Sequence, residues 1–363
     1  MSKRISYSQI RLWQECPQKW KYQYKDGLRE RVRSGALFLG SAIDAALNEL
    51  LTTKSLINAQ NAFLNTLTTG EINKVIIDIK TSPRVVYGER DMDWELLTDD
   101  DINDIKTYCK EEHHESLKTH FNGIRAMKKD KGWQNLHEST QTFYNVCNWH
   151  SLKRKGLLML GAYNNEVMPH IKEVIAVQKE VLLHNGENEL IGYIDLVCRW
   201  DNGELILADN KTSGSLYEED SVRTSEQLTI YDEKLRQEGI IPDKQAYIVM
   251  LKNIIKDRVR VCSSCKHEAE KTSRVKTCAQ EINGKRCGAE FTEVMIPKAE
   301  IQIVMDQIPE RTKDIILENV DAVNHMMQNN YITRNFNSCQ AAYGKCPFYD
   351  LCFKNDDSGL DRK

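Results

Sequence analysis

Along the first part of the chain apolar residues recur at near-helical spacing. Ile10, Trp13, Trp20 and Tyr24 follow Ser6 and Gln9, which stand in capping-box relation, so the chain should open with a helix interrupted near Cys16-Pro17. Positions 40–51 predict a second helix with Ile43, Ala46, Leu47 and Leu50 on one side. From about 100 to 170 the pattern stays mostly helical and carries no interpretable motif. The character changes after Pro169. Segments 171–183, 189–200 and 204–211 are short, rich in Val, Ile and Leu, and separated by Gly and Asn, which predicts consecutive strands. Helical spacing returns over 225–238, 245–261 reads as a strand or strand pair, 262–288 as a polar, cysteine-bearing insertion, 291–296 as a strand and 301–327 as a helix. The expected architecture is an α/β fold with a mixed central sheet flanked by helices. Its organisation should be a mostly helical part over 1–170, a core over 171–261, the insertion over 262–288 and core completion over 289–363.

Composition narrows this little. With 40% hydrophobic and 28% charged residues and only seven prolines, the chain reads as an ordinary globular protein rather than a disordered one. The net charge of -3 gives no global sign of nucleic-acid binding, but charge is uneven. Lys3, Arg4, Arg11, Lys19, Lys21, Lys25, Arg29, Arg31 and Arg33 crowd the amino terminus, which a phosphate backbone would feel locally and which solvated helix faces would explain equally. No apolar stretch approaches a membrane span, so a cytoplasmic protein is expected. In that compartment thiols stay reduced, and eleven cysteines point to metal ligation before disulfides. Isolated Cys109, Cys147 and Cys198 read as small buried hydrophobes.

The chemistry concentrates in Gly192-Tyr193-Ile194-Asp195 and Ala208-Asp209-Asn210-Lys211-Thr212. Side chains alternate along a strand, so Asp209 and Lys211 project from one side, roughly 7 Å apart. Asp195, Asp209 and the backbone carbonyl of Asn210 would supply the oxygens that a hard cation such as Mg²⁺ wants. The Lys211 ammonium could then orient or help deprotonate the attacking water and offset charge on a phosphodiester. One geometric condition follows. A two-residue turn at Asn202-Gly203 would set Asp195 opposite Asn210 and turn the two carboxylates to opposite faces of the sheet. An odd-length loop, such as Asp201-Asn202-Gly203 with a left-handed glycine, or a bulge, puts Asp195 beside Asp209. Gln227 and Tyr231, four apart, share a helical face that could meet this site. A D-x-K triplet alone would favour a plain solvated hairpin.

The succession Gly192-x-x-Asp195, Asp209-x-Lys211-Thr212 and Gln227-x-x-x-Tyr231 resembles the RecB-type nucleases of the PD-(D/E)XK superfamily, including AddB subunits and the CRISPR-adaptation exonucleases. The opening Ser6-Tyr7-Ser8-Gln9-Ile10 through Cys16-Pro17, with Trp20 and Tyr24, resembles their first helix. The resemblance implies a restriction-endonuclease-like core. It implies a Mg²⁺- or Mn²⁺-dependent deoxyribonuclease acting on single strands or ends of DNA, with protein partners of a repair or recombination complex. It assigns metal binding to Asp195 and Asp209, and catalysis to these two with Lys211, Gln227 and Tyr231. Glu180 reads as an exposed strand-end residue, with an outer contact to the site as the alternative. Many of these nucleases have a histidine ligand in a Gly-x-x-x-His pattern. Here Gly40 leads to Asp44, which can serve a hard cation. The departure leaves open a rival reading, a catalytically silent DNA-binding or scaffold protein with the nuclease fold.

Two cysteine sets remain. Cys339, Cys346 and Cys352 need a fourth thiolate, for which Cys16 is the candidate. The arrangement resembles the iron-sulfur subset of these nucleases, in which a [4Fe-4S] cluster joins the chain ends, with zinc as the alternative. Cys262, Cys265, Cys278 and Cys287 open with a C-x-x-C knuckle and read as a Zn²⁺ ribbon, with His267 a substitute ligand. Lys266, Lys271, Arg274, Lys276, Lys285 and Arg286 would make the ribbon a phosphate-contacting finger, a structural knob or a docking surface.

Overall fold

The strand-like segments of the middle of the chain assemble into one mixed sheet, seen in a computed structural model that describes residues 4–30, 33–69, 85–86, 93–131, 136–185, 188–269, 275–341 and 344–362. Lys3, Arg31, Lys271 and Arg274 lie outside the described residues. The sheet contains β1 (Arg4–Ser6), β2 (Ile171–Asn185), β3 (Asn188–Trp200), β4 (Leu205–Ser213), β5 (Lys244–Leu251) and β8 (Ile301–Asp306), while β6 (Ile255–Cys262) and β7 (Phe291–Lys298) form a separate antiparallel pair. β2 runs antiparallel along β3, and β1 and β4 both pair with β3 as well, β1 with Glu189–Ile191 and β4 with Leu196–Arg199. β5 then lies parallel to β4, and β8 antiparallel to β5.

One face of the sheet is covered by α2 (Gly35–Thr53), α3 (Leu56–Thr69) and α6 (Glu138–Glu166). Leu39, Ile43, Leu47, Phe63 and Tyr163 from these helices bury against Leu196, Cys198, Ile206 and Ile248. The other face meets α1 (Tyr7–Glu15), α7 (Glu226–Gln237) and α8 (Glu310–Gln328) through Ile10, Trp13, Leu228, Tyr231 and Val320. Burial on both faces explains why these strands read as continuous apolar runs rather than alternating ones. A smaller core joins α4 (Asp99–Lys106), α5 (Leu117–Lys131) and the amino-terminal part of α6. α6 buries residues on every side, polar Asn145, Asn148, His150 and Ser151 included, so it shows no amphipathic stripe. Cys147 and Cys198 are fully buried, as expected, whereas Cys109 is only half-buried.

Two expectations are corrected. Ser6 makes no capping bond, because it ends β1, and the Gln9 side chain instead accepts a hydrogen bond from Trp20 Nε1 at 3.3 Å. The stretch 301–327 is not one helix: 301–306 is the edge strand β8, and Pro309 starts α8. Alternating apolar residues Ile301, Ile303 and Met305 belong to a strand, and the helical pattern begins only beyond them. Within the basic amino-terminal run, Lys19 pairs with Glu15, Lys21 with Asp26 and Lys25 with Asn330. Among the described residues no helix is long and apolar enough to cross a membrane.

Candidate active site

The β3–β4 hairpin sets the geometry. Trp200 N–H donates to the Glu204 carbonyl at 2.8 Å, leaving Asp201-Asn202-Gly203 as a three-residue loop with Gly203 at φ +90°. The register from Arg199 opposite Leu205 to Leu196 opposite Ala208 then extrapolates to Asp195 opposite Asp209. At that point the strands diverge. Beyond Ala208, β4 continues in register with β5, Asp209 opposite Tyr247 and Lys211 opposite Val249. The Asp195 carboxylate fills the fork, accepting the Asn210 N–H at 2.8 Å. Asn210's own side chain points to the other face, where its Oδ1 accepts from Tyr163 Oη at 3.1 Å in the buried core.

Gln227, on the first turn of α7, ties the site together. Its Nε2 donates to Asp209 Oδ1 at 2.9 Å and to Tyr231 Oη at 3.3 Å, and its Oε1 accepts from Lys211 Nζ at 3.1 Å. Lys211 Nζ also touches Asp209 Oδ2 at 2.5 Å, and that oxygen has no aligned hydrogen-bond donor. The glycine of Gly192-x-x-Asp195 has a steric reason: a Cβ there would lie 2.4 Å from Tyr231 Cε1. Only a bare backbone lets the Tyr231 ring cross β3, where its phenol oxygen also accepts the Tyr193 N–H.

Charge in the fork is poorly compensated. Burial, then the neighbouring Asp209 charge, push the Asp195 carboxyl up to about 7. Asp209 is likewise raised, by burial, against the opposing pull of Lys211. Asp44, on α2, keeps one side open to solvent, yet the surrounding protein and, secondarily, Asp209 push it up to about 6. Burial works against the Lys211 ammonium, but Asp209 and Asp195 outweigh it and hold the group above its usual range, so it is charged. Asp195 and Asp209, two neighbouring carboxylates that resist ionisation, are donors that a hard divalent cation suits, since the cation removes the cause of the resistance. Asp44 feels Asp209 and Lys211 electrostatically, but Asp44, Asp195 and Asp209 do not converge within 4.8 Å of one another.

Glu180 is exposed opposite Tyr193, whose hydroxyl it accepts at 3.0 Å, and does not touch the carboxylates. Sequence reasoning missed Gln178, whose Nε2 donates to Asp195 Oδ1 at 3.3 Å from the neighbouring strand. The only available signal was its position: two residues before Glu180, on a strand antiparallel to Asp195.

The two cysteine sets differ in scale. The sulfurs of Cys262, Cys265, Cys278 and Cys287 all lie within 4.8 Å of one another, with Cys262 to Cys287 and Cys265 to Cys278 both at 3.6 Å. His267 is outside this set and faces Gln280. Backbone N–H groups of Cys265 and Ser264 pull the Cys262 thiol down to about 6, toward the thiolate a metal needs. Cys16, Cys339, Cys346 and Cys352 instead line one cavity together with Phe336 and Phe353, and their sulfurs do not meet within that 4.8 Å limit. Beside this cavity Leu360–Arg362 pairs with Leu28–Glu30, and Leu28 and Leu360 pack with Phe348 and Cys346.

The diverging strands of the mixed sheet thus bring two aspartates and a lysine together, groups of the kind that metal-assisted phosphodiester hydrolysis uses. The chain belongs to the PD-(D/E)XK nuclease superfamily, whose model matches residues 4–94 and 101–353. No curated protein matches the sequence.

Proposed function

We propose that this protein is a Mg²⁺- or Mn²⁺-dependent deoxyribonuclease of the RecB-like branch, acting as an exonuclease on DNA ends or single strands. The observation that carries the reading is the three-residue hairpin loop, whose register sets Asp195 against Asp209 with Lys211 beside them. When bound, the cation would polarise the phosphoryl oxygen and favour ionisation of the attacking water. Asp195, Asp209 and the Asn210 carbonyl would hold it, with Asp44 at the rim. Lys211, held against Asp209, would orient or help deprotonate the attacking water and offset charge growing on the phosphate. Gln227 keeps Lys211 and Asp209 in fixed relation, and Tyr231 braces Gln227 from behind.

The compact Cys262, Cys265, Cys278 and Cys287 set suits a single Zn²⁺, around which tetrahedral sulfurs stand about 3.8 Å apart. The wider Cys16, Cys339, Cys346 and Cys352 cavity favours a [4Fe-4S] cluster over zinc, which would clip the chain ends together. Thiols kept reduced for such sites fit a cytoplasmic protein with partners in DNA repair or recombination. Residues 1–170, 171–261, 262–288 and 289–363 would serve as helical part, nuclease core, zinc insertion and iron-sulfur end.

Cleavage of labelled single- and double-stranded DNA with Mg²⁺ or Mn²⁺, measured beside Lys211→Ala, tests the reading. Wild-type cleavage reduced at least about 10²-fold by the substitution is expected. No cleavage by either protein with any metal would instead favour a DNA-binding scaffold that retains the fold.

A further inference from the structure

The antiparallel ladder between β2 and β3 pairs Val177 with Leu196 and Lys179 with Ile194, so Gln178 and Asp195 face each other between them. At this one position of β2 the backbone turns to φ +47°, a left-handed conformation that L residues rarely adopt and that glycine or asparagine would take more easily. The residue present is nevertheless a glutamine. Its amide Nε2 donates to Asp195 Oδ1, and Asp195 Oδ2 is already engaged by the Asn210 N–H. Each oxygen of the carboxylate therefore has one fixed donor, from the strand on either side. Non-glycine residues held in such conformations cluster where the surrounding structure uses them.

We propose that Gln178 is a positioning residue of the metal site: its amide fixes the plane of the Asp195 carboxylate so that a lone pair of Oδ1 is presented to the divalent cation. The idea rests on the nuclease reading above and adds a residue to it. A carboxylate bonded only through Oδ2 can rotate about its side-chain torsions, and a rotating ligand loses affinity because binding must order it. Partners that orient metal ligands from outside typically contribute about ten- to a hundredfold to metal affinity. The polar end of Gln178 is the part that reaches Asp195, since the amide Nε2 is its contact with the carboxylate.

Two substitutions separate positioning from a structural role. Gln178→Met keeps the length of the side chain and the left-handed backbone but removes the donor. Gln178→Gly removes the donor and relieves the backbone. Mn²⁺ binding to the full chain, without DNA, is read by electron paramagnetic resonance, with thermal unfolding measured on the same metal-free samples. Both variants are expected to bind Mn²⁺ about tenfold more weakly, with Gln178→Gly unfolding at or above the wild-type temperature. In cleavage assays the metal requirement should rise while kcat at saturating metal changes less than about threefold. Mn²⁺ affinity within twofold of wild type in both variants overturns the inference and leaves the nuclease reading standing. Failure of the wild-type chain itself to bind Mn²⁺ overturns both.

Discussion

Asp101 and Asp209 are almost equally buried, at 2% and 1% exposure, yet the protein treats their charge in opposite ways. Asp101 opens α4, in a capping box with Thr98. Lys153 Nζ and Arg154 Nε of α6 reach it at 2.7 and 2.5 Å, and His150 Nδ1 lies 2.8 Å away. Burial alone would raise its carboxyl, but these donors together hold it well below the usual carboxylate range. Asp232 is also well supplied with donors, fully buried between Lys313, Arg236 and Gln245, where it joins α7, α8 and β5. Asp209 has one cation and one amide for the same burial, and a second carboxylate across the fork. A carboxylate that holds helices together is over-supplied with donors. One that is to hold a cation is left short of them, because the missing positive charge is what the ligand brings.

The contrast breaks most visibly at Asp101. Replacing it with alanine leaves Lys153 and Arg154 without their buried anion and His150 with Asp104 alone. Thermal unfolding should fall by the equivalent of about 3 kcal/mol, while cleavage per folded molecule stays at wild-type level. An unfolding temperature unchanged by this substitution would mean that the helical lobe does not depend on the network.

The next effect is a pH dependence. Asp195 ionises near 7 in the folded chain and near 4 when unfolded, so below about pH 4 its carboxyl is protonated in both states and neutral to stability. As pH rises the unfolded chain loses this proton first, and the fold is progressively penalised until about pH 7. Measured without metal, the unfolding temperature of Asp195→Asn minus that of wild type should therefore widen between pH 4 and pH 7. The gain should be on the order of 1–2 kcal/mol, below the full linkage value because the side chain keeps some exposure to solvent. A difference that narrows over that range would contradict the assignment of strain to this carboxylate.

The smallest expected change is the sharpest comparison with Asp101. Asp209→Asn should abolish cleavage but leave metal-free stability equal to or up to about 1 kcal/mol above wild type, the reverse of the Asp101 outcome. Scanning calorimetry of the two variants side by side decides it. Equal losses in both would place Asp209 among the structural carboxylates.

Much of this arrangement was legible in advance because it depends on local rules. Short runs rich in Val, Ile and Leu, bounded by Gly and Asn, marked β2, β3 and β4, and the parity of a hairpin was enough to require an odd-length loop or a bulge, met by three residues between Trp200 and Glu204. Cys262-x-x-Cys265 with Cys278 and Cys287 predicted a cluster whose four sulfurs indeed converge. The capping expectation at Ser6 failed because pairing of β1 with β3, a partner more than 180 residues away, claimed that residue first. The helix expected over 301–327 failed at its start for the same reason, since β8 exists only by pairing with β5.

What the amino-acid order determined by itself was which residues are chemically capable: the carboxylates, the lysine, the thiols, and the faces on which a strand or helix must present them. Tertiary structure alone decided which of them are frustrated. Gln178 opposite Asp195, Tyr231 lying over the bare backbone of Gly192, and the gathering of Lys153 and Arg154 around Asp101 are contacts between segments distant in the chain. Burial and the number of donors around a buried charge are properties of packing, and no spacing along a sequence encodes them.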